Sequence, residues 1–115
     1  MHELSLARGL VERLEKIANA EKALRVERVL IQIGAYSGVE RAAFEFAFPF
    51  AAEGSLCEGA ALEIEETPVR VACGDCGADS NPEPTLIQCA CCGSANVEIQ
   101  GGREFTIKTA ELEIP

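Results

Sequence analysis

The chain contains no tryptophan, one tyrosine, one histidine and one methionine. With no second histidine, no nucleophile motif and no glycine loop fit to cradle phosphate, it is not expected to be an enzyme. No apolar run approaches the roughly 20 residues that cross a bilayer, and no basic start followed by an apolar stretch marks a secretory signal. A cytoplasmic location without membrane insertion is therefore expected. Cations are also scarce: 10 Lys and Arg stand against 19 Asp and Glu, for a net charge of -9. Such a surface repels phosphates, so nucleic acid is not an expected partner, and a protein or a metal ion is the easier ligand.

What is present is enough for one small domain with a modest core, or for a smaller core plus a metal-stapled appendage: 115 residues, 48% apolar and 25% charged. From Glu3 to Lys22, Leu4, Ala7, Leu10, Val11, Leu14, Ile17 and Ala18 recur at helical spacing with charged residues between them. Val26 to Ile33 reads as a buried strand ending at Gly34, with Val29, Ile31 and Ile33 on one face. Val39 to Ala52 is ambiguous, because its phenylalanines alternate like a strand while its alanines fall at helical spacing. Ser37 ahead of Glu40 resembles a capping box and favours a helix, which Pro49 should kink or shorten. Gly54 to Gly59 reads as a loop, and Ala61 to Glu66 as a half-buried strand ended by Pro68. Gly101 and Gly102 mark a turn into a long strand, Phe105 to Ile114, whose inward phase requires a bulge near Thr109. Glu65, Glu66, Glu111 and Glu113 read as solvated strand faces.

Between the strands, Val71 to Val97 carries few large apolar residues and two prolines, so it cannot bury enough surface to fold by itself. It does carry Cys73-Gly74-Asp75-Cys76-Gly77 and Cys89-Ala90-Cys91-Cys92-Gly93, two CxxCG knuckles. In a reducing compartment such pairs favour metal over disulfides. Each spacer lets both sulfurs reach one ion at about 2.3 Å, and the glycine after each pair can adopt a positive φ that turns its N–H towards a thiolate. Cys73, Cys76, Cys89 and Cys92 complete a tetrahedron with no open position, which describes a structural zinc site. Iron is the rival ion, separable by colour, and Cys91 competes with Cys89 or Cys92 as a ligand. Cys57 reads as a partly buried free thiol in a loop.

The histidine is His2, next to the initiating Met1. Its imidazole, the Met1 amine and nearby backbone nitrogens can chelate in one plane, an arrangement suited to divalent nickel or copper. Glu3 is read equally as a helper at that chelate and as a first-turn acid favouring the helix dipole.

The opening Met1-His2-Glu3, the segment Ile33-Gly34-Ala35-Tyr36-Ser37-Gly38-Val39-Glu40, Glu53-Gly54-Ser55, the run Leu62 to Val69, both knuckles and Gly102-Arg103-Glu104-Phe105 together resemble the HypA/HybF family of hydrogenase nickel-incorporation proteins. Pro49, the phenylalanine-rich second helix and Cys91 depart from that pattern. The resemblance implies an α+β fold in which residues 1–69 and 101–115 form a nickel-binding domain, a small mixed sheet with two helices. Residues 70–100 would form an inserted zinc-ribbon-like domain. It further implies transient Ni(II) cargo at Met1, His2 and Glu3, a structural Zn(II), a hydrogenase-maturation GTPase as partner and the [NiFe]-hydrogenase large subunit as recipient, with urease maturation proteins as a further outlet. The alternative from the residues alone is a zinc-ribbon interaction scaffold with no transferable metal.

Overall fold

The computed structural model describes residues 2–115. Its elements are α1 (His2–Ala20), β1 (Arg25–Gly34), α2 (Arg41–Ala52), β2 (Ala61–Thr67), β3 (Arg70–Cys73), β4 (Asp79–Ser80), β5 (Val97–Gly101) and β6 (Phe105–Glu113). Two three-stranded sheets run in the orders β2-β1-β6 and β4-β3-β5. With two helices this is the α+β class the sequence predicts. The chain divides into two compact units, one from Val39–Glu65, Thr106–Pro115 and the described part of Met1–Ile31, the other from Gln32–Gly38 and Glu66–Phe105.

In the first unit, α1 buries Ala7, Leu10, Val11, Leu14 and Ala18 along one stripe. Ile17, expected inside, lies at the margin with 39% exposure. The helix stops two residues before the expected Lys22, because Lys22 adopts φ 56. Its N–H then reaches Asn19 O at 3.1 Å while Ala23 N–H reaches Ala18 O at 2.8 Å. This pair of bonds is a Schellman closure, here made without glycine. Val29, Ile31 and Ile33 of β1 are all buried, as one shared face requires.

The ambiguous segment is a helix, and its start differs from the expected capping box. Ser37 is not the cap; Glu40 is, and its own carboxylate accepts from Ala43 N–H at 2.6 Å and Ala42 N–H at 3.3 Å. A carboxylate there also favours the positive end of the helix dipole. The alternating phenylalanines resolve by helical geometry: Phe44 and Phe48, four apart, enter the core, whereas Phe46 and Phe50 stay 72% and 62% exposed. Pro49 is accommodated inside α2, which continues to Ala52. Being on the exposed side, it denies an N–H partner only to the Glu45 carbonyl.

The loop after α2 folds back into the core. Val26 N–H donates to Leu56 O at 2.8 Å, Leu56 N–H to Glu15 Oε2 at 3.2 Å, and Cys57 N–H to Ser55 Oγ at 3.0 Å. Cys57 is fully buried rather than partly so. Burial pushes its thiol up from the ordinary value of 9.0 to about 11. Along β6 the half-buried positions shift phase from Phe105 and Ile107 to Ala110 and Leu112, with Lys108 and Thr109 both exposed between them. That is the shift the sequence predicts.

In the second unit, β3 pairs antiparallel with β4 (Val71↔Ser80) and with β5 (Val71↔Ile99, Cys73↔Val97). Gly34 and Gly102 allow a close backbone approach: a Cβ on Gly34 would stand 2.1 Å from Gly102 O. In that space Tyr36 N–H donates to Gly102 O at 2.6 Å, Gly34 N–H to Glu104 O at 2.7 Å and Ala35 N–H to Thr67 O at 2.8 Å.

Two outcomes follow from this packing. Phe44→Ala should lower unfolding free energy by about 3–5 kcal/mol, and Phe46→Ala by less than about 1 kcal/mol, in parallel urea titrations. For Cys57 the unfolded thiol ionises near 9.0 and the folded one near 11, so its raised folded value contributes stability that is fully present below pH 9 and lost as pH rises towards 11. The stability gap between the parent and Cys57→Ala should therefore narrow between pH 8 and pH 11; a constant gap would show that the thiol does not titrate as described.

Candidate metal centre

The sulfurs of Cys73, Cys76, Cys89 and Cys92 all lie within 4.8 Å of one another. Two edges of this group, Cys73 to Cys92 and Cys76 to Cys89, measure 3.6 Å. Four sulfurs placed tetrahedrally at about 2.3 Å from one ion stand about 3.8 Å apart, so the spacing and the all-sulfur donor set fit zinc. Cys91, which the sequence left in competition, is exposed and outside this group.

Each knuckle is a tight turn with the same internal bonds. Cys73 N–H donates to Ala78 O at 3.0 Å and Gly77 N–H to Cys73 O at 3.2 Å; in the second turn Cys89 N–H donates to Ser94 O at 2.8 Å and Gly93 N–H to Cys89 O at 2.9 Å. Gly77 and Gly93 do take positive φ, 76 and 78. Their N–H groups, however, serve these carbonyls and not the thiolates. The sulfur of Cys73 instead accepts from Asp75 and Cys76 N–H, both at 3.3 Å. That of Cys89 accepts from Cys91 at 3.3 Å and Cys92 at 3.4 Å. The backbone of Ala78 reaches Cys76, and that of Ser94 reaches Cys92.

These donors divide the charge unevenly. The N–H of Cys92, aided by that of Cys91, holds the Cys89 thiol down to about 6, and the N–H groups of Cys76 and Asp75 lower Cys73. Against the pull of the Ala78 N–H, the three neighbouring sulfurs push Cys76 up to about 12. The backbone thus favours the charged form at Cys73 and Cys89, whereas the crowding of sulfurs disfavours it at Cys76 and Cys92.

A clasp that the sequence did not reveal joins the turns. Asp75 accepts a very short bond from Ser94 Oγ and a 3.1 Å bond from Asn96 Nδ2, while Gly74 N–H donates to Asn96 O at 2.8 Å. Ala90 N–H donates to Ser80 Oγ at 3.1 Å as a second brace. The available signal was Asp75 inside one knuckle and Ser94 just after the other, but nothing in their spacing pairs them.

At the other end of the chain, Met1 lies outside the described residues. The His2 side chain is 60% exposed, with Nδ1 3.6 Å from Glu3 Oε2. The same Glu3 oxygen accepts from Glu40 N–H at 3.3 Å. This bond, followed by Glu3's own N–H, lowers the carboxyl below its usual range, and His2 adds to the effect. Glu3 therefore ties the start of α1 to the start of α2 and leaves His2 accessible.

A family model described as hydrogenase/urease nickel incorporation, metallochaperone, hypA matches residues 1–112. The hydrogenase maturation factor HypA of Nitrosospira multiformis is 42% identical over 97% of both chains. That of Rhodobacter capsulatus is 43% identical, over 97% of this chain and 99% of its own. The solution structure of the Ni metallochaperone HypA from Helicobacter pylori is similar at TM-score 0.72 and 31% identity, covering 98% of each chain.

The cage is tested by paired variants. Cys92→Ser should abolish stoichiometric metal retention after gel filtration, measured by elemental analysis, whereas Cys91→Ser should keep one ion per chain. The reverse result would place Cys91 in the shell.

Proposed function

Because the chain belongs to the HypA family of nickel-incorporation metallochaperones for hydrogenase and urease, we propose that it carries Ni(II) at its first residues and a permanent Zn(II) in the four-cysteine cage. The family is one of maturation factors, so the chain acts as a carrier and not as an enzyme. The observation that carries the reading is the contrast between the two donor sets. Four sulfurs form a closed shell with no position for exchange, which suits an ion that stays. His2 offers one accessible imidazole at a helix start, where the first backbone N–H groups have no intrahelical partner. With the Met1 amine these make a nitrogen-rich clasp that favours nickel and exchanges it readily.

Glu3 acts here as a positioning residue, through its bond to the start of α2. Residues 1–69 with 101–115 form the nickel-binding domain, and residues 70–100 the zinc-binding insertion that the metal stabilises. The cargo passes in the cytoplasm to the large subunit of [NiFe]-hydrogenase with the help of a maturation GTPase, and urease maturation proteins are a second outlet. A scaffold with no transferable metal finds no support in a family described by nickel incorporation.

Nickel titration of the zinc-loaded protein, read by calorimetry and native mass spectrometry, tests this. The parent should hold one zinc that stays and one nickel that exchanges. His2→Ala should keep the zinc and bind nickel at least about tenfold more weakly. Equal tight binding by both proteins removes His2 from the site, and no binding by either removes the carrier reading.

A further inference from the structure

The cations of the chain divide by element. Arg25, Arg28, Arg41 and Lys108 each reach a carboxylate, at 2.6, 3.1, 2.7 and 3.1 Å. Arg70 donates to Gln100 O at 3.2 Å, and Arg103 lies over the ring of Tyr36. The remaining four, Arg8, Arg13, Lys16 and Lys22, belong to α1 and its closure, and among the described residues none of them forms an ion pair. All four are exposed, and between Arg8 and Lys16 the one exposed carboxylate is that of Glu12. Glu15, the other acid of that stretch, is turned to the Leu56 N–H. A chain of net charge -9 thus keeps a cationic face on its first helix. Apolar surface borders that face: Ile17, one turn beyond Arg13, is 39% exposed, and Leu24, just past the closure, 55%.

We propose that the outer face of α1 docks an acidic segment of a protein partner, one in which aspartate or glutamate surrounds an exposed apolar side chain. Complementary charge steers such a segment to the face and fixes its register. An apolar anchor set against Ile17 supplies affinity that exposed ion pairs alone do not. A second copy of the chain is a poor occupant. Two α1 faces set together oppose cations to cations, and α1 set against an acidic face of another copy is a head-to-tail contact that closes only if several copies form a ring. His2, Gly9, Arg13 and Lys16 follow one another at intervals of seven, four and three, close to whole turns of 3.6 residues, so the stripe runs from the basic residues to the imidazole. A segment lying along α1 therefore ends beside His2. That this brings the partner to the cargo rests on the nickel reading above; the docking itself does not.

Amide shifts in NMR spectra of the zinc-loaded, nickel-free full chain test the docking. The probe is a short peptide of glutamate and leucine, with two controls, one carrying lysine in place of glutamate and one carrying alanine in place of leucine. The probe should shift amides between Arg8 and Leu24. Arg13→Glu/Lys16→Glu should weaken its binding about tenfold or more, and Arg13→Gln/Lys16→Gln by a smaller factor, with the circular dichroism of both variants unchanged. The proposal is overturned by absence of binding, by shifts centred outside α1, by binding indifferent to both pairs of substitutions, by equal shifts in α1 with either control peptide, or by shifts in α1 that grow with protein concentration in the absence of peptide. Because no nickel is present, none of these outcomes bears on whether His2 binds it.

Discussion

Backbone N–H groups turned onto cysteine sulfur are the constraint on which the cysteine-rich unit depends. Its buried apolar residues outside the turns are few, chiefly Ile33, Val69 and Val71, too little to hold the 47 residues of Gln32–Gly38 and Glu66–Phe105 against chain entropy. The two turns make up the difference only if their four sulfurs converge, and convergence requires that each turn be closed by its own internal bonds. Glycine after each second cysteine serves this closure through its conformation, not through a bond to sulfur. The thiolates are stabilised by the peptide groups between and beyond the cysteines.

The contrast with the amino end is one of coordination chemistry. In the cage every donor is fixed by a turn, and ligand exchange would require a turn to open. At the start of α1 the imidazole stands in solvent and the carboxylate next to it is occupied with α2. On the function proposed above, the cage would keep its ion and the amino-terminal residues would surrender theirs. The Glu3 bond to the Glu40 backbone makes the start of α1 part of the helical packing without burying His2.

Legibility in the sequence follows the range of the interactions. Helix α1, the buried face of β1 and the phase shift in β6 were readable because each is a local period. The four-cysteine set was readable because a short spacer fixes which sulfurs can share an ion. Helix α2 was only half readable: its phenylalanines satisfy both periods, and the deciding contacts of Phe44 and Phe48 are tertiary. Its cap was misplaced because a glutamate that caps with its own carboxylate is a less usual choice than serine. The Asp75, Ser94 and Asn96 clasp was invisible, since the partners are 19 and 21 positions apart and none is distinctive by type. The burial of Cys57 depends on the loop turning inward, which composition does not encode.

The near-identity of the two turns leaves their differences to side chains alone. Asp75 in the first occupies the place of Cys91 in the second, and Ala78 that of Ser94. The clasp between Asp75 and Ser94 consequently has no counterpart across the approximate twofold, where the corresponding residues are an alanine and an exposed thiol. One flank of the cage is tied by side chains of both turns, and its mirror flank only by the Ala90 N–H bond to Ser80 Oγ, with Cys91 exposed beside it, so a competing chelator or thiol would meet less resistance on the side of Cys91.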